Sequence, residues 1–371
     1  MLRNGGATSI TLLGFWRTNF PPTSSDLPII ALGRTIDRAL VRRCGSVLNA
    51  FTHKELRAIA DATVIIARGV EMLTIAAVAR HRFARDASLV YECLDIHKVI
   101  LSKGIVGASL RAIEGYLLKQ CALLMISSPG YERNYFRPNY KILPPIYLSE
   151  NKVLESEVSH NTLPDIPPGP PWRIGWFGRL RCRESLHILA ALATRFPGRV
   201  EIVARGRPDR NLIPDFDAVV EATEGMTYHG PYDRATELAA IYNDVHFAWM
   251  LDFFEGSNNR GEWCLVNRMY EAGSNGSVLL GLRQTESGRW LTDKGVGIII
   301  DTPLAKSLDQ IIENMTPDSY LAAREAIRRL PMHNFVCYHK ECAEDLVATL
   351  ERTQTRRPSK GLDWSFIQKT T

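Results

Sequence analysis

Residues 172–192 read WRIGWFGRLRCRESLHILAAL. An apolar strand runs to Gly178, three arginines follow at Arg179, Arg181 and Arg183, and a helical-period stretch begins near Glu184. Glycine lets a ligand approach the backbone, a helix start offers unpaired N–H groups, and guanidinium groups fork onto phosphate oxygens. A diphosphate fits such a turn. An ordinary α/β connection that happens to carry basic residues reads the same way. No GxxxxGK[ST] is present, so this is not the loop of a nucleotide-hydrolysing P-loop protein.

Outward from this unit the same alternation of short apolar strands and helical stretches recurs. Downstream strands are expected at VEIVAR, MTYHG, VHFAWML, SVLLG and VGIII, and upstream ones at SITLLGF, PIIAL, TVIIAR, SLVYEC and ALLMISS. Between the two sets lies Leu148 to Pro171, polar and then proline-rich, which reads as a linker rather than a packed element. The expectation is α/β with two doubly wound, Rossmann-like domains facing across a cleft: residues 1–150, a linker at 151–171, residues 172–335, and a C-terminal helix and tail at 336–371. From Pro303 on the chain reads mainly helical, and a late helix is expected to cross back onto the first domain. Ligands of such sheets sit at the carboxyl ends of the strands, so the residues just after each strand are the candidates.

At 371 residues, 45% hydrophobic and 23% charged, the chain is long enough for two cores and has no low-complexity tract. No apolar run approaches the roughly 18–20 residues that span a bilayer. The short apolar opening lacks a small-residue cleavage site, and a cytoplasmic location is expected. The seven cysteines are scattered, without CxxC pairs, and read as reduced thiols. Residues 1–150 hold 19 Lys and Arg against 11 Asp and Glu, leaving 26 and 29 of the chain's 45 and 40 for the remainder. A basic first half suits an anionic partner such as the inner face of a membrane. Arg34, Arg38, Arg42, Arg43, Lys54 and Arg57 surround ALVRRCGSVLNAF, either a basic amphipathic helix on lipid or a solvated helix face.

Candidate residues follow from position. Arg205, Gly206 and Arg207 end the strand VEIVAR, adding basic groups at the phosphate side. YHGPYD, with His229, follows the next strand and either contacts a nucleobase or makes a plain Gly-Pro turn. The most specific stretch is EGSNNRGEWCLVNRMYEAGSNGSVLLG, residues 255–281. There a helix carries Asn267, Arg268 and Glu271, with Asn267 and Glu271 one turn apart. A carboxylate so placed accepts from two ribose hydroxyls; the alternative is an Arg268–Glu271 surface ion pair worth at most about 1 kcal/mol. Asp95 and His97 directly follow LVYEC, where a carboxylate beside an imidazole can deprotonate an acceptor hydroxyl or position the transferred sugar. Asp95 as a helix cap is the alternative. Glu92 shares that turn, and Ser127, Ser128 and Gly130 close the next strand, as acceptor contacts or a helix N-cap.

These residues carry a family resemblance. NRMYE at 267–271 resembles the donor-site helix of bacterial exopolysaccharide glycosyltransferases of GT-B fold, in which the glutamate binds the nucleotide ribose. VYECLDIHK (90–98) and LLMISSPGYERNYF (123–136) resemble the acceptor-domain signatures of the same enzymes, in particular the succinoglycan-type sugar transferases. The resemblance covers nearly the whole chain. It implies transfer from a nucleotide-sugar to a lipid-linked saccharide acceptor at the inner membrane surface, with no metal, no bound cofactor and no nucleic acid. The donor-binding set is then Gly178, Arg179, Arg181, Arg205, His229, Asn267, Arg268 and Glu271. Asp95 and His97 would be catalytic, and Glu92, Ser128 and Gly130 would contact the acceptor.

The sequence departs from the pattern twice. Related retaining transferases show two glutamates with seven residues between them, whereas Glu262 and Glu271 have eight between them and Glu255 is farther off. The chain also opens at LRNGGA, which reads as the end of a first helix, followed by ITLLGFWR as a second strand, so that a first strand and its glycine turn are expected to be absent. A GT-A transferase would need a DxD pair after a strand; Asp215 and Asp217 form the triplet but follow Pro214 into a helix. A nucleotide-sugar epimerase of the same fold and a non-catalytic pseudo-transferase are the remaining readings.

Overall fold

The computed structural model describes residues 2–17, 27–35, 45, 50–158, 165–253 and 261–355. In the N-terminal part, β1 (Leu12–Arg17) and β2 (Ile29–Thr35) pair in parallel. β3 (Val64–Arg68), β4 (Ser88–Cys93), β5 (Leu123–Ile126) and β6 (Ile146–Leu148) form a parallel sheet in chain order. Helices α1 (Gly69–Phe83) and α2 (Ile105–Leu118) are the crossovers after β3 and β4.

The second sheet holds six parallel strands: β8 (Trp172–Leu180), β9 (Val200–Pro208), β10 (Met226–Tyr228), β11 (Phe247–Trp249), β12 (Val278–Leu282) and β13 (Ile298–Ile300). Their order is β10-β9-β8-β11-β12-β13. This reversal beside β8 creates the crevice where ligands of doubly wound sheets bind. Helices α3 (Arg183–Arg195), α4 (Phe216–Ala222), α5 (Arg234–Asn243), α6 (Asn267–Ser274) and α7 (Glu286–Lys294) connect the strands. α8 (Leu304–Asn314), α9 (Pro317–Arg329) and α10 (His339–Thr355) complete the chain.

Strand alternation divides the cores. In β8, Trp172, Ile174 and Trp176 enter one buried cluster, and Phe177 enters the cluster on the opposite face. In the first sheet, Leu89, Tyr91, Leu124 and Ile126 face the α2 side. Val90, Leu123 and Met125 face the other way, where Leu346 and Leu350 of α10 cover them. The last helix therefore packs on the first sheet, and Tyr147 donates to Asp345 at 2.8 Å.

The stretch 148–171, expected as an unpacked linker, is not one in its described parts. Val153 and Leu154 form β7, paired in parallel with Val336–Cys337, β14. Val153 is buried in the second domain's core. Glu150 accepts from Tyr270 at 2.9 Å, Glu157 binds Arg234, and Asp165 binds Arg324 and Arg328. Apolar Val153 and these carboxylates act at a distance in sequence that composition does not show. In the basic segment 34–57, Arg38, Arg42, Arg43 and the side chain of Arg34 lie outside the described residues. Lys54 and Arg57 sit exposed on a 3-10 turn that buries Leu56 and Ile59.

Candidate active site

A cavity of about 610 Å3 opens at the carboxyl ends of β8, β9 and β10. Its floor is a glycine pair. Gly178 and Gly206 are register partners with φ of +96° and +131°. A Cβ on Gly206 would lie 1.8 Å from the carbonyl oxygen of Gly178, so no side chain fits there. Around the floor stand Arg179, Arg207, Arg210 and Arg234 with Tyr232.

Most of these cations are held by carboxylates. Arg179 binds Asp209 at 2.7 Å, Arg210 binds Asp217 at 2.7 Å and Arg205 binds Glu237 at 2.9 Å. These pairs are exposed and screened by solvent, so an incoming dianion can recruit the arginines at little cost. Arg207 is exposed and has no ion-pair partner among the described residues. Asp217 and Asp215, the DxD triplet, are occupied by Arg210 on one side and by Arg183 and His187 on the other.

Helix α6 supplies the next wall. Glu271 is 7% exposed and accepts from Arg234 Nε and from the Tyr242 hydroxyl, both at 3.1 Å. Burial is the main force raising the Tyr242 phenol well above its usual value, and the Glu271 charge adds to it. Tyr232 is likewise pushed up to about 12, first by burial and then by Glu271. Arg268 pairs with Asp252 at 3.7 Å, and Arg181 reaches the same Asp252 oxygen at 3.5 Å. The Arg268–Glu271 pair weighed from sequence is thus replaced by two pairs to other elements. Nη1 of Arg268 and Nε of Arg205 are buried with no hydrogen-bond partner among the described residues. An unsatisfied buried donor costs about 1–3 kcal/mol until an acceptor reaches it.

Across the crevice, Asp95 follows β4. Its residue surface is exposed, yet the protein around the carboxyl raises its pKa from 3.8 to about 6; burial outweighs the opposing charge of Arg181. Arg181 is therefore close to both Asp252 of its own domain and Asp95 of the other. His97 stands in the same turn and accepts from the Val99 N–H through Nδ1 at 3.3 Å. Glu92 is held by Arg68 at 2.8 Å.

With this geometry in hand, the chain is 40% identical over 361 residues to the succinoglycan biosynthesis protein ExoL of Rhizobium meliloti, spanning 95% of this chain and 89% of that protein. The chain belongs to the succinoglycan-biosynthesis ExoL family. No protein-family model matches it. Among solved structures it is similar to a sucrose-phosphate synthase from Thermosynechococcus elongatus, with TM-score 0.64 and 15% identity over 91% of this chain and 87% of that one. It is also similar to HepE of Anabaena in complex with UDP, with TM-score 0.62 and 14% identity over 88% and 86%. The fold of this ExoL-family protein is thus GT-B, the glycosyltransferase architecture with two Rossmann-like domains, as the motif resemblance implied.

The ExoL-family chain brings together Gly178, Arg179, Arg181, Arg205, Arg268 and Glu271 on one wall and Asp95 opposite. Other expected residues stand apart. Asn267 is exposed at the start of α6 while Glu271, one turn on, is buried. The His229 side chain is exposed, and its backbone N–H donates to Ala204 at 3.0 Å. Ser128 is fully buried: its hydroxyl donates to the Trp263 carbonyl at 2.5 Å and accepts from Gly130 N–H at 3.3 Å as a helix N-cap. A Cβ on Gly130 would sit 2.4 Å from the same Trp263 oxygen. Ser128 and Gly130 therefore join the two domains, together with the Tyr131–Cys264 contact at 3.0 Å and the Arg133–Glu286 pair at 2.9 Å. Glu262 is exposed on a 3-10 turn, and Glu255 lies outside the described residues.

Sequence reasoning missed Arg234, Tyr242 and Asp252. Arg234 had a signal: it opens a helix capped by Asp233 just after a strand, the same pattern that drew attention to 178–184. Tyr242 lies mid-domain at the far end of α5 and meets Glu271 only through packing, which no local pattern reports.

Proposed function

We propose that this ExoL-family protein is a glycosyltransferase that moves a sugar from a nucleotide-sugar to a hydroxyl of a lipid-linked saccharide at the inner face of the membrane, in exopolysaccharide biosynthesis. The observation that carries this reading is the cavity on the glycine pair with its arginines, facing Asp95 across the crevice with Arg181 between them. HepE, a structural neighbour, was crystallised with UDP-glucose, which supports a nucleotide-sugar for this site.

In the proposed reaction the diphosphate lies over Gly178 and Gly206, and arginines of the set Arg179, Arg181, Arg207 and Arg268 neutralise it as it leaves. Glu271, pre-set by Arg234 and Tyr242, accepts from the ribose hydroxyls. The acceptor oxygen attacks the anomeric carbon, its proton passes to Asp95 or His97, and the bond from the anomeric carbon to the diphosphate oxygen breaks. A carboxylate with a pKa near 6 is half ionised in mildly acidic solution and is a stronger base than an ordinary aspartate. The domain contact at Ser128–Trp263 holds the two walls in register, and exclusion of water there limits hydrolysis of the donor.

The test is transfer from radiolabelled nucleotide-sugars to a bacterial membrane lipid fraction. Label extracted with lipid supports the proposal. Interconversion of the nucleotide-sugar without lipid label would establish the epimerase, and binding of nucleotide with neither reaction would establish the pseudo-transferase.

A further inference from the structure

The outward face of α2 carries no charge. Going round the helix, Ile105, Val106, Ser109, Ala112, Ile113 and Tyr116 are all exposed, Ile105 by 85% and Val106 by 58%. At 100° per residue they fall in one continuous arc. A helix on the surface of a soluble domain ordinarily turns its charged residues outward. Here the helix's one acidic residue, Glu114, is turned inward, 1% exposed, and accepts from Tyr91 at 2.7 Å, Tyr135 at 2.5 Å and Tyr140. Arg111 is drawn back to the carbonyls of Ile100 and Ser102, at 2.9 Å from the latter.

The rim of this face is basic. Lys98 and Lys103 precede the helix and Lys119 follows it, all exposed and without an ion-pair partner among the described residues. The Tyr140 ring packs against Gly115, 3.0 Å from where a Cβ would stand, which brings exposed Lys141 and Ile142 alongside. The helix begins only ten residues after Asp95, in the same crossover.

We infer that α2 and the loop at 140–142 form the surface by which this protein docks on an anionic lipid bilayer. The apolar arc enters the boundary between headgroups and acyl chains, and the lysine rim meets the negative headgroups. Docking this wall down places Asp95 near the bilayer surface, where a lipid-linked saccharide would present its hydroxyl. The inference rests on the membrane reading proposed above and names the surface that serves it.

The experiment is cosedimentation of the full chain with vesicles of phosphatidylcholine alone or with phosphatidylglycerol, at two salt concentrations. The wild type is expected to bind the anionic vesicles at least tenfold more tightly than the neutral ones, and less tightly at high salt. Ile105→Asp combined with Ile113→Asp is expected to lose at least tenfold on anionic vesicles with its melting temperature kept. Lys103→Glu combined with Lys119→Glu is expected to lose the preference for anionic lipid. Wild-type protein that binds neither vesicle overturns the membrane reading and this inference together. Wild-type binding that neither double variant weakens keeps the membrane reading and overturns the surface. A dimer in sedimentation velocity that Ile113→Asp dissociates assigns the face to a second copy of the chain and likewise overturns it.

Discussion

The two walls of the crevice are built on opposite plans. On the wall of residues 172–300, cations outnumber what the local carboxylates satisfy: Asp252 serves both Arg181 and Arg268, and buried guanidinium nitrogens of Arg205 and Arg268 have no partner among the described residues. Across the gap, the wall of residues 64–148 offers at the end of β4 one carboxylate of raised pKa and an imidazole, while Glu114 is sealed in the core by Tyr91, Tyr135 and Tyr140. A wall with surplus donors is preorganised for a polyanion. A wall with a lone basic carboxylate suits a neutral hydroxyl, which needs a proton acceptor rather than charge neutralisation. In the reaction proposed above, the donor and acceptor steps are therefore divided between the two domains, with Arg181 close to both Asp252 and Asp95.

Substitutions on the two walls should therefore fail differently. The largest effect is expected from Asp95→Asn, a fall in kcat of about 10²- to 10⁴-fold with the KM for the nucleotide-sugar nearly unchanged, the range for loss of a general base. Steady-state kinetics decides it; full turnover in both Asp95→Asn and His97→Ala would move the acceptor chemistry elsewhere. Next is Glu271→Gln, expected to raise the donor KM or nucleotide Kd about 10- to 100-fold, as loss of a hydrogen bond to a charged group implies. Calorimetric titration with nucleotide checks this, and unchanged affinity would break the donor assignment.

Smaller is the effect of Arg181→Ala on the pH profile. With Asp95 as base, kcat/KM rises with pH through about 6 as the carboxyl loses its proton. Arg181 opposes the rise in that pKa, so its removal moves the acidic limb to higher pH. A limb that stays in place separates the two residues. Smallest is a stability effect of Asp95 itself. Its folded pKa lies above the ordinary 3.8, so the unfolded chain releases the proton first and stability declines as pH rises from about 4 to 6. Asp95→Asn should therefore melt slightly higher than wild type at pH 7 and no higher at pH 4, measured by calorimetry.

The strands were legible because their apolar runs are buried on both faces in a parallel sheet and need no partner to declare themselves. Those expected in both halves appear where SLVYEC, VEIVAR and SVLLG stand. β6, β7 and β14 escaped: each is two or three residues long and exists through its neighbour rather than its own pattern. Of the candidate site, Gly178 and Glu271 could be picked out from the glycine turn expected at a strand end and from the NRMYE stretch, each with an ordinary alternative; that both line one crevice came from the fold. Ser128 and Gly130, read as acceptor contacts or a helix N-cap, take the N-cap role, a choice that is open until Trp263 is seen against them.

By itself, then, the sequence determined the doubly wound class, the strands of the second sheet, all but β6 of the first, and the arginine-bearing turn at the end of β8, because these follow from periodicity and from backbone chemistry within some ten residues. Tertiary structure decided the rest: that Glu271 answers to Tyr242 and Arg234, that 148–171 is fastened to the second domain, that α10 covers the first sheet, and that Arg181 adjusts Asp95. The hydrogen bonds among these join residues from 29 positions apart, Tyr242 and Glu271, to 198, Tyr147 and Asp345. Burial and charge act through space, and only folding sets those distances.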